Sequence, residues 1–303
     1  MLVGIEIGGT KLQFALGNAD GQLTARWRGT IVPADGASGI REQIAQNLPP
    51  FLAKHTIASA PIDAIGIGFG GPIDHRHQTI LKSHQVSGWD GFPLAQWLQD
   101  TFGYRAVLGN DADVAGLAEA MHGAGQGYDP IFYVTIGSGI GGGFIQGGRI
   151  HTGVGYGAAE IGHLRLPDPE HPGNYCTLES LASGWGISDR ARQIPGVSPT
   201  ITTADISHAI HRGEPWSLQL LDDTCVSLAE AFAQVIALLC PARIVIGGGV
   251  SLIGSPLFER IHHHLSSRVF APFHGLTEIV PAQLGEEVVL HGAIELAQTV
   301  HRE

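Results

Sequence analysis

The sequence is short of cysteine and of positive charge, and both shortages narrow what it can be. Its three cysteines, Cys176, Cys225 and Cys240, are odd in number and widely spaced. They are no disulfide framework and suit buried thiols in a reducing cytoplasm. Lys and Arg total 17 against 28 Asp and Glu, a formal net charge of −11 with no basic cluster. A nucleic-acid groove needs a concentrated Lys/Arg face, so no nucleic-acid partner is expected. Long apolar runs are also missing. The best candidate, around Ala231 to Val250, is broken by Gln234, Pro241 and Arg243, so no membrane span is expected. The first residues pass straight into a strand, with no basic region and no small-residue cleavage site. The expectation is a cytoplasmic protein without a secretory leader.

What the chain does have is enough apolar material for a large core, 44% of 303 residues, and a unit that occurs twice. The first copy runs from Leu2 to Leu16 around the turn Gly8-Gly-Thr-Lys11, and the second from Ile131 to Gln146 around Gly137-Ser-Gly139. Each is a hydrophobic strand, a tight glycine turn and a second strand. Adjacent backbone N–H groups in such turns form concave cradles free of side chains, suited to phosphate oxygens. Two cradles in two halves suggest a nucleotide gripped from both sides. Gly137-Ser-Gly-Ile-Gly-Gly142 also satisfies the dinucleotide pattern G-x-G-x-x-G, with Glu160 about where a ribose-binding acid would stand. That fingerprint requires a helix directly after the glycines, and here Gly143-Phe-Ile-Gln146 reads as a strand. A phosphate-binding hairpin is the better reading.

Between the hairpins, strands alternate with amphipathic helices. Thr24 to Val32 reads as a third strand; Ile40, Ile44, Leu48 and Leu52 mark a helix that Pro49-Pro50 should break or end. Ile62 to Phe69 is a buried strand ending in Gly70-Gly71-Pro72, and Arg105 to Leu108 a short strand before a helix that begins at Asp111. The order repeats later with a helix near Ser217 to Leu239, the strand Arg243 to Ile246 and the turn Gly247-Gly-Gly249. A boundary is expected near Gly123 to Gly127, giving domains 1–122 and 123–288, with a final helix over 289–303 able to pack back on the first. The expected class is α/β: two duplicated actin-like (ribonuclease-H-like) ATPase domains facing a central cleft.

Ile5-Glu-Ile-Gly-Gly-Thr-Lys11, Gly109-Asn-Asp111, Ile136 to Phe144 with Gly153, Glu160-x-x-His163 and Val245-Ile-Gly-Gly-Gly249 together resemble the ROK family of sugar kinases and sugar-responsive repressors. The resemblance runs in order over nearly the whole chain. It implies ATP and Mg²⁺ as cofactors and a hexose as acceptor, glucose first, with fructose, mannose, an N-acetylhexosamine or a polyphosphate donor as alternatives. By this resemblance Gly8, Gly9, Thr10 and Lys11 form the phosphate turn of the first domain, and Gly137, Ser138 and Gly139 that of the second. Gly247 and Gly248 lie beside the adenosine, and Glu6 stands where many relatives have Asp, holding a Mg²⁺-bound water. Asp111 is the general base; its alternative reading is a helix cap. Asp113, in the same first turn, is explained by the helix dipole. Asn110, Glu160, His163 and Glu179 grip the sugar hydroxyls, and Gly71 lets the backbone approach the sugar. Trp89 resembles a family tryptophan, with core packing the favoured role.

The departure from the family concerns metal. Many relatives carry three cysteines after Gly-His that bind structural zinc with the histidine. Here Glu170, Pro172 and Thr177 fall at those positions, Cys176 is one place out of register, and no structural zinc is expected. His75-Arg-His77 and His262-His-His264 read as solvated surface rather than as metal sites. A repressor would need an added helix-turn-helix, for which the chain leaves no room, and a non-catalytic sugar sensor is opposed by the intact Asn110-Asp111. A homodimer is the family's habit.

Overall fold

The computed structural model describes the whole chain apart from residues 19, 57–60, 84, 170 and 302–303. Strands β1 (Leu2–Ile7), β2 (Lys11–Gly17) and β3 (Leu23–Thr30) form a meander, followed by helix α1 (Gly36–His55) and strand β4 (Ala64–Phe69). Short strands β5 (Ile73–Asp74) and β6 (Thr79–Ile80) precede α2 (Leu94–Phe102), β7 (Arg105–Asn110) and α3 (Asp111–His122). Strands β8 (Ile131–Ile136), β9 (Ile140–Gln146), β10 (Arg149–Ile150), β11 (Arg165–Pro167) and β12 (Tyr175–Thr177) come next. Helices α4 (Leu178–Ala182), α5 (Gly184–Arg192), α6 (Thr203–His211) and α7 (Pro215–Leu239) lead to β13 (Arg243–Gly247). The chain closes with α8 (Ser255–Leu265), β14 (Glu278–Pro281) and α9 (Val288–His301).

The two main sheets share one plan. In the first the order is β3-β2-β1-β4-β7, with β1 antiparallel to β2 and parallel to β4, and β4 parallel to β7. In the second, β9-β8-β13-β14 repeats that pattern: β8 is antiparallel to β9 and parallel to β13, which is parallel to β14. All six residues of β1 and of β4 are buried. Burial on both faces is why these strands read as near-continuous apolar runs rather than as an alternating pattern.

The chain divides into two compact units, one of Met1–Gly123, Gly148–Ala158 and Glu286–Glu303, the other of Ala124–Gly147 and Ala159–Gly285. Gly148–Ala158, which the sequence-based division left with the second half, thus belongs to the first unit. Helix α9 joins the first unit through a seat made of missing side chains. Gly4 and Gly66 are partners in the β1–β4 register, and a Cβ on either would run into the α9 backbone at Leu290 O or Ala293 O. Leu290, Ala293, Ile294 and Ala297 are buried in that contact. Any larger residue at Gly4 or Gly66 would push the helix off the sheet.

Helix α1 does not break at Pro49-Pro50, contrary to the sequence expectation, and runs on to His55. Both prolines are exposed, as are Ala45 and Gln46, whose carbonyls lose their N–H donors and face solvent. Leu48, Phe51 and Leu52 on the opposite face stay buried and hold the last turns against the core. Trp89 is buried between Phe69 and Phe92, which fixes its role as packing. Among the described residues no helix is long and apolar enough to cross a membrane.

Candidate active site

In the first unit the sequence-predicted residues converge on one edge of the sheet. Ile7, Phe69 and Asn110 are register partners at the carboxyl ends of β1, β4 and β7. The turns leaving these parallel strands carry Gly8 to Lys11, Gly70-Gly71 and Asp111, and such strand ends are where open α/β sheets bind ligands. The phosphate turn is closed by Gly8 N–H donating to Lys11 O at 3.0 Å. Glu6 is buried, and both carboxylate oxygens are used: Oε1 lies 2.9 Å from Lys11 Nζ and Oε2 accepts from Gln13 Nε2 at 2.8 Å. Glu6 and Gln13 are cross-strand partners, so the hairpin register itself brings amide and acid together. Gln13 is a site neighbour that no motif marks. Each Glu6 oxygen keeps a second lone pair, so the donor set fits a metal held through its waters rather than a protein cage.

The capping at the start of α3 falls to the neighbour of Asp111. Asn110 is the N-cap of α3, its Oδ1 accepting from the N–H groups of Ala112 at 2.9 Å and Asp113 at 3.3 Å. Its Nδ2 donates to Gly71 O at 3.0 Å, tying the Gly70-Gly71 turn to the helix start. Asp111, half-buried in the first turn, carries its carboxylate at the strand edge, with Oδ1 accepting from Ala112 N–H at 2.8 Å. Its Oδ2 lies 3.4 Å from where a Gly70 Cβ would stand, and Gly8 Cα is 3.8 Å from the same point. The Asp111 carboxylate, the hairpin turn and the Gly70-Gly71 turn therefore share one small volume.

His75 departs from expectation, whereas Asp113 stands in the first turn of α3 as expected; it is buried, with its Oδ2 3.9 Å from His75 Nε2. The expected solvated turn splits: His77 is 73% exposed while the His75 side chain is only 13% exposed. Burial lowers the His75 pKa below its ordinary value, and the nearby Asp74 charge only partly offsets this. The cause is tertiary. His75 N–H donates to Gly155 O, and the loop from Gly148 to Ala158 covers the ring's turn.

The second unit secures its hairpin with backbone. Gly137 O accepts from Gly184 N–H at 2.7 Å and Ser138 O from Trp185 N–H at 3.3 Å, so the first turn of α5 grips the glycine turn. Ser183 caps that helix through Gly186 N–H at 3.0 Å. Glu179 Oε2 accepts from Ile140 N–H at 2.8 Å, and a Cβ on Gly139 would sit 2.5 Å from the same oxygen. Glu179 therefore braces the turn, with its half-buried carboxylate carried on the short, Thr177-capped α4.

Beside this turn lies a cavity of about 590 Å³, lined by Gly137, Ser138, Trp185, Thr203, His208 and Leu252 among others. Trp185 is 63% and Leu252 82% exposed, which leaves apolar surface on the cavity's wall. Gly249 lines the cavity with open space where its Cβ would stand. Gly247 and Gly248 are pressed instead against β8, where a Cβ would meet Tyr133 Oη or Ile136 backbone at 2.5 Å. Sequence reasoning missed Trp185, Thr203 and His208 because they come from helices that only tertiary packing brings to the hairpin.

Glu160 and His163 are exposed at the two ends of a single turn, with His163 N–H donating to Glu160 O at 3.1 Å. The turn rides on β9: a Cβ on Gly142 or Gly162 would collide with the carbonyl of Ala159 or Ile140. The β11–β12 hairpin that follows is closed by Asp168, which donates its N–H to Asn174 O at 3.0 Å and accepts from His171 N–H at 3.2 Å. Among the described residues no group of three or more His, Cys, Asp or Glu side chains is placed to hold a metal ion. Glu170, which falls at one of the family's cysteine positions, lies outside the described residues.

A model of the ROK family matches residues 2–300. The chain belongs to the ROK family. The glucokinase of Halalkalibacterium halodurans is 31% identical to it over 309 residues, covering 96% of this chain and 92% of that one. The N-acetylmannosamine kinase of Escherichia coli is 30% identical over 298 residues, covering 97% of each. Among solved structures, the ROK glucokinase of Streptomyces griseus in complex with glucose and AMPPNP superposes with a TM-score of 0.81 at 27% identity, over 98% of this chain and 99% of that one. The fold is the α/β actin-like ATPase architecture of these ROK kinases, and the chain is a sugar kinase.

Proposed function

We propose that this ROK kinase transfers the γ-phosphoryl group of ATP to a hydroxyl of a hexose, with glucose the first candidate and Asp111 the general base. The observation that carries the reading is the division of labour at the start of α3. Asn110 performs the capping, which leaves Asp111 Oδ2 at the strand edge beside the phosphate turn. A phosphoryl transfer needs a positioned acceptor, neutralised charge and a proton acceptor at the attacking hydroxyl. Asp111 takes that proton. Lys11, its ammonium held by Glu6, offsets charge that develops on the phosphoryl oxygens, and the Gly9 and Thr10 backbone offers N–H groups to the same oxygens. Glu6 would hold magnesium through one of its waters, and the metal would supply positive charge against the repulsion of the phosphate oxygens.

Asn110, Glu160, His163 and Glu179 hold sugar hydroxyls, with Gly71 allowing backbone approach. The size of the cavity beside Gly137-Ser138 and its apolar jaws, Trp185 and Leu252, suit a nucleoside, which favours ATP over polyphosphate as donor. A coupled assay with ATP, Mg²⁺ and a panel of glucose, mannose, fructose and N-acetylhexosamines tests the reading. Turnover of glucose above the others is expected. Failure to phosphorylate any of them would overturn it, and turnover with polyphosphate but not ATP would overturn the choice of donor. Full turnover after exhaustive chelation of zinc and resupply of Mg²⁺ alone is also expected.

A further inference from the structure

The segment between β6 and α2 lies along the active-site edge of the first unit, yet none of its residues has a role in the reaction as described. Lys82 O sits 2.7 Å from where a Gly71 Cβ would stand, and Gln85 lies across the phosphate turn. A Cβ on Gly9 would fall on top of Gln85 Oε1. The glycine at position 9 therefore does two things. It bares the turn's backbone, and it makes room for this one carboxamide.

The approach of Gln85 is built by its neighbours. Leu81 N–H donates to Pro72 O at 3.0 Å, fixing the segment's start to the Gly70-Gly71-Pro72 turn. Ser83 Oγ accepts from Gln85 N–H at 3.4 Å and Val86 N–H at 3.2 Å, bending the backbone at that point. Val86 and Trp89, both buried, anchor its far end in the core. Gln85 itself is exposed, and among the described residues its side-chain amide has no hydrogen-bond partner. A flexible glutamine on solvent gains nothing from being held over a glycine turn unless its amide has a partner to meet there.

We infer that Gln85 orients the transferring phosphoryl group: its neutral carboxamide lies over Gly9 with Oε1 innermost, and a half-turn of the amide presents its N–H donors to phosphate oxygens seated at Gly8-Gly9-Thr10. The chemistry fits a need at this edge. The side-chain cation on the turn, Lys11, shares its ammonium with Glu6 at 2.9 Å, and a neutral amide adds donors to the three phosphoryl oxygens. An amide supplies them without a second acid-base group beside Asp111. The inference rests on the kinase reading above and specifies which end of the donor the segment touches.

Three variants of the full-length protein, Gln85→Ala, Gln85→Asn and Gln85→Glu, test it by steady-state kinetics and by calorimetric titration with ATP and, separately, ADP in the presence of Mg²⁺. Gln85→Ala should lower kcat about tenfold to hundredfold, with the hexose KM within about threefold of wild type. Gln85→Asn should keep part of the rate. Gln85→Glu, which sets a carboxylate against phosphate, should fall below Gln85→Ala and weaken ATP binding more than ADP binding. Values of kcat within about twofold of wild type for both Ala and Glu variants would overturn the inference, as would equal weakening of ATP and ADP. A merely structural role would lower the melting temperature of all three variants without separating ATP from ADP. If the wild type phosphorylates no hexose, the proposed function fails, while the ATP–ADP difference still decides for or against Gln85.

Discussion

In the first hairpin the glycine turn is dressed with polar side chains: Lys11 on Glu6, Gln13 behind them and Gln85 across Gly9. In the second, the same strand–glycine–strand plan is held almost wholly by backbone, with Gly137 O and Ser138 O gripped by the first residues of α5 and Glu179 bracing Ile140 N–H. The same plan occurs twice, with different side chains around it. On the proposed function the charged cradle, with Asp111 on its edge, would meet the reacting phosphoryl, and the backbone cradle, next to a cavity with Trp185 and Leu252 on its walls, would hold the unreactive end of the donor.

If that division is right, damage to each half should have a different kinetic signature. The largest effect should come from Asp111→Asn, which keeps the shape of the first turn but removes the proton acceptor. We expect kcat to fall by about 10²–10⁴ with hexose affinity preserved, read by coupled assay and calorimetry. Lys11→Met should come next, a loss of about 10² in kcat/KM for ATP with a lowered melting temperature, since Glu6 would remain buried without its cation. Trp185→Ala should act on the other side of the comparison. It should raise the KM for ATP about tenfold and leave the hexose KM unmoved; a fall in kcat alone would argue that the two hairpins do not divide the work as stated.

The smallest effect concerns pH. Burial holds the folded-state pKa of His75 below the ordinary 6.5, so the neutral ring's contribution to stability is complete above about 6.5 and is lost as the pH falls through the lowered value. His75→Gln should flatten this acid limb in melting temperatures measured from pH 7.5 down to about 5, with little change at the upper end. An unchanged limb would assign it to other groups.

Much of this layout was legible before any coordinates. Both hairpins, the helix starting at Asp111 and the order of strands follow from apolar periodicity and glycine punctuation, which are local signals. The α1 prolines were misread because a local rule ignores which face of the helix they occupy, and here both fall on solvent. His75 was misread because a turn flanked by polar residues looks exposed until the loop through Gly155 is laid over it. Gln85, Gln13 and Trp185 carry no motif. Each reaches its glycine turn by strand register or loop packing, and nothing in their own sequence neighbourhoods marks that destination. The seat of α9 is half legible: a final helix able to pack back on the first domain is expected, whereas its match to Gly4 and Gly66 exists only across nearly the full length of the chain.

Asn110 has both ends of its amide committed, Oδ1 to the helix start and Nδ2 to Gly71 O at 3.0 Å. Spontaneous hydrolysis of that one amide during storage would exchange the Nδ2 donor for a carboxylate oxygen facing a carbonyl oxygen, and an attraction would become a repulsion. The Gly70-Gly71 turn would then come untied from the helix that carries the base. An aged preparation should therefore lose turnover in step with the appearance of an acidic form bearing one extra negative charge at residue 110. Asn110→Asp would make the same exchange directly, at a side chain that takes no proton in the proposed reaction.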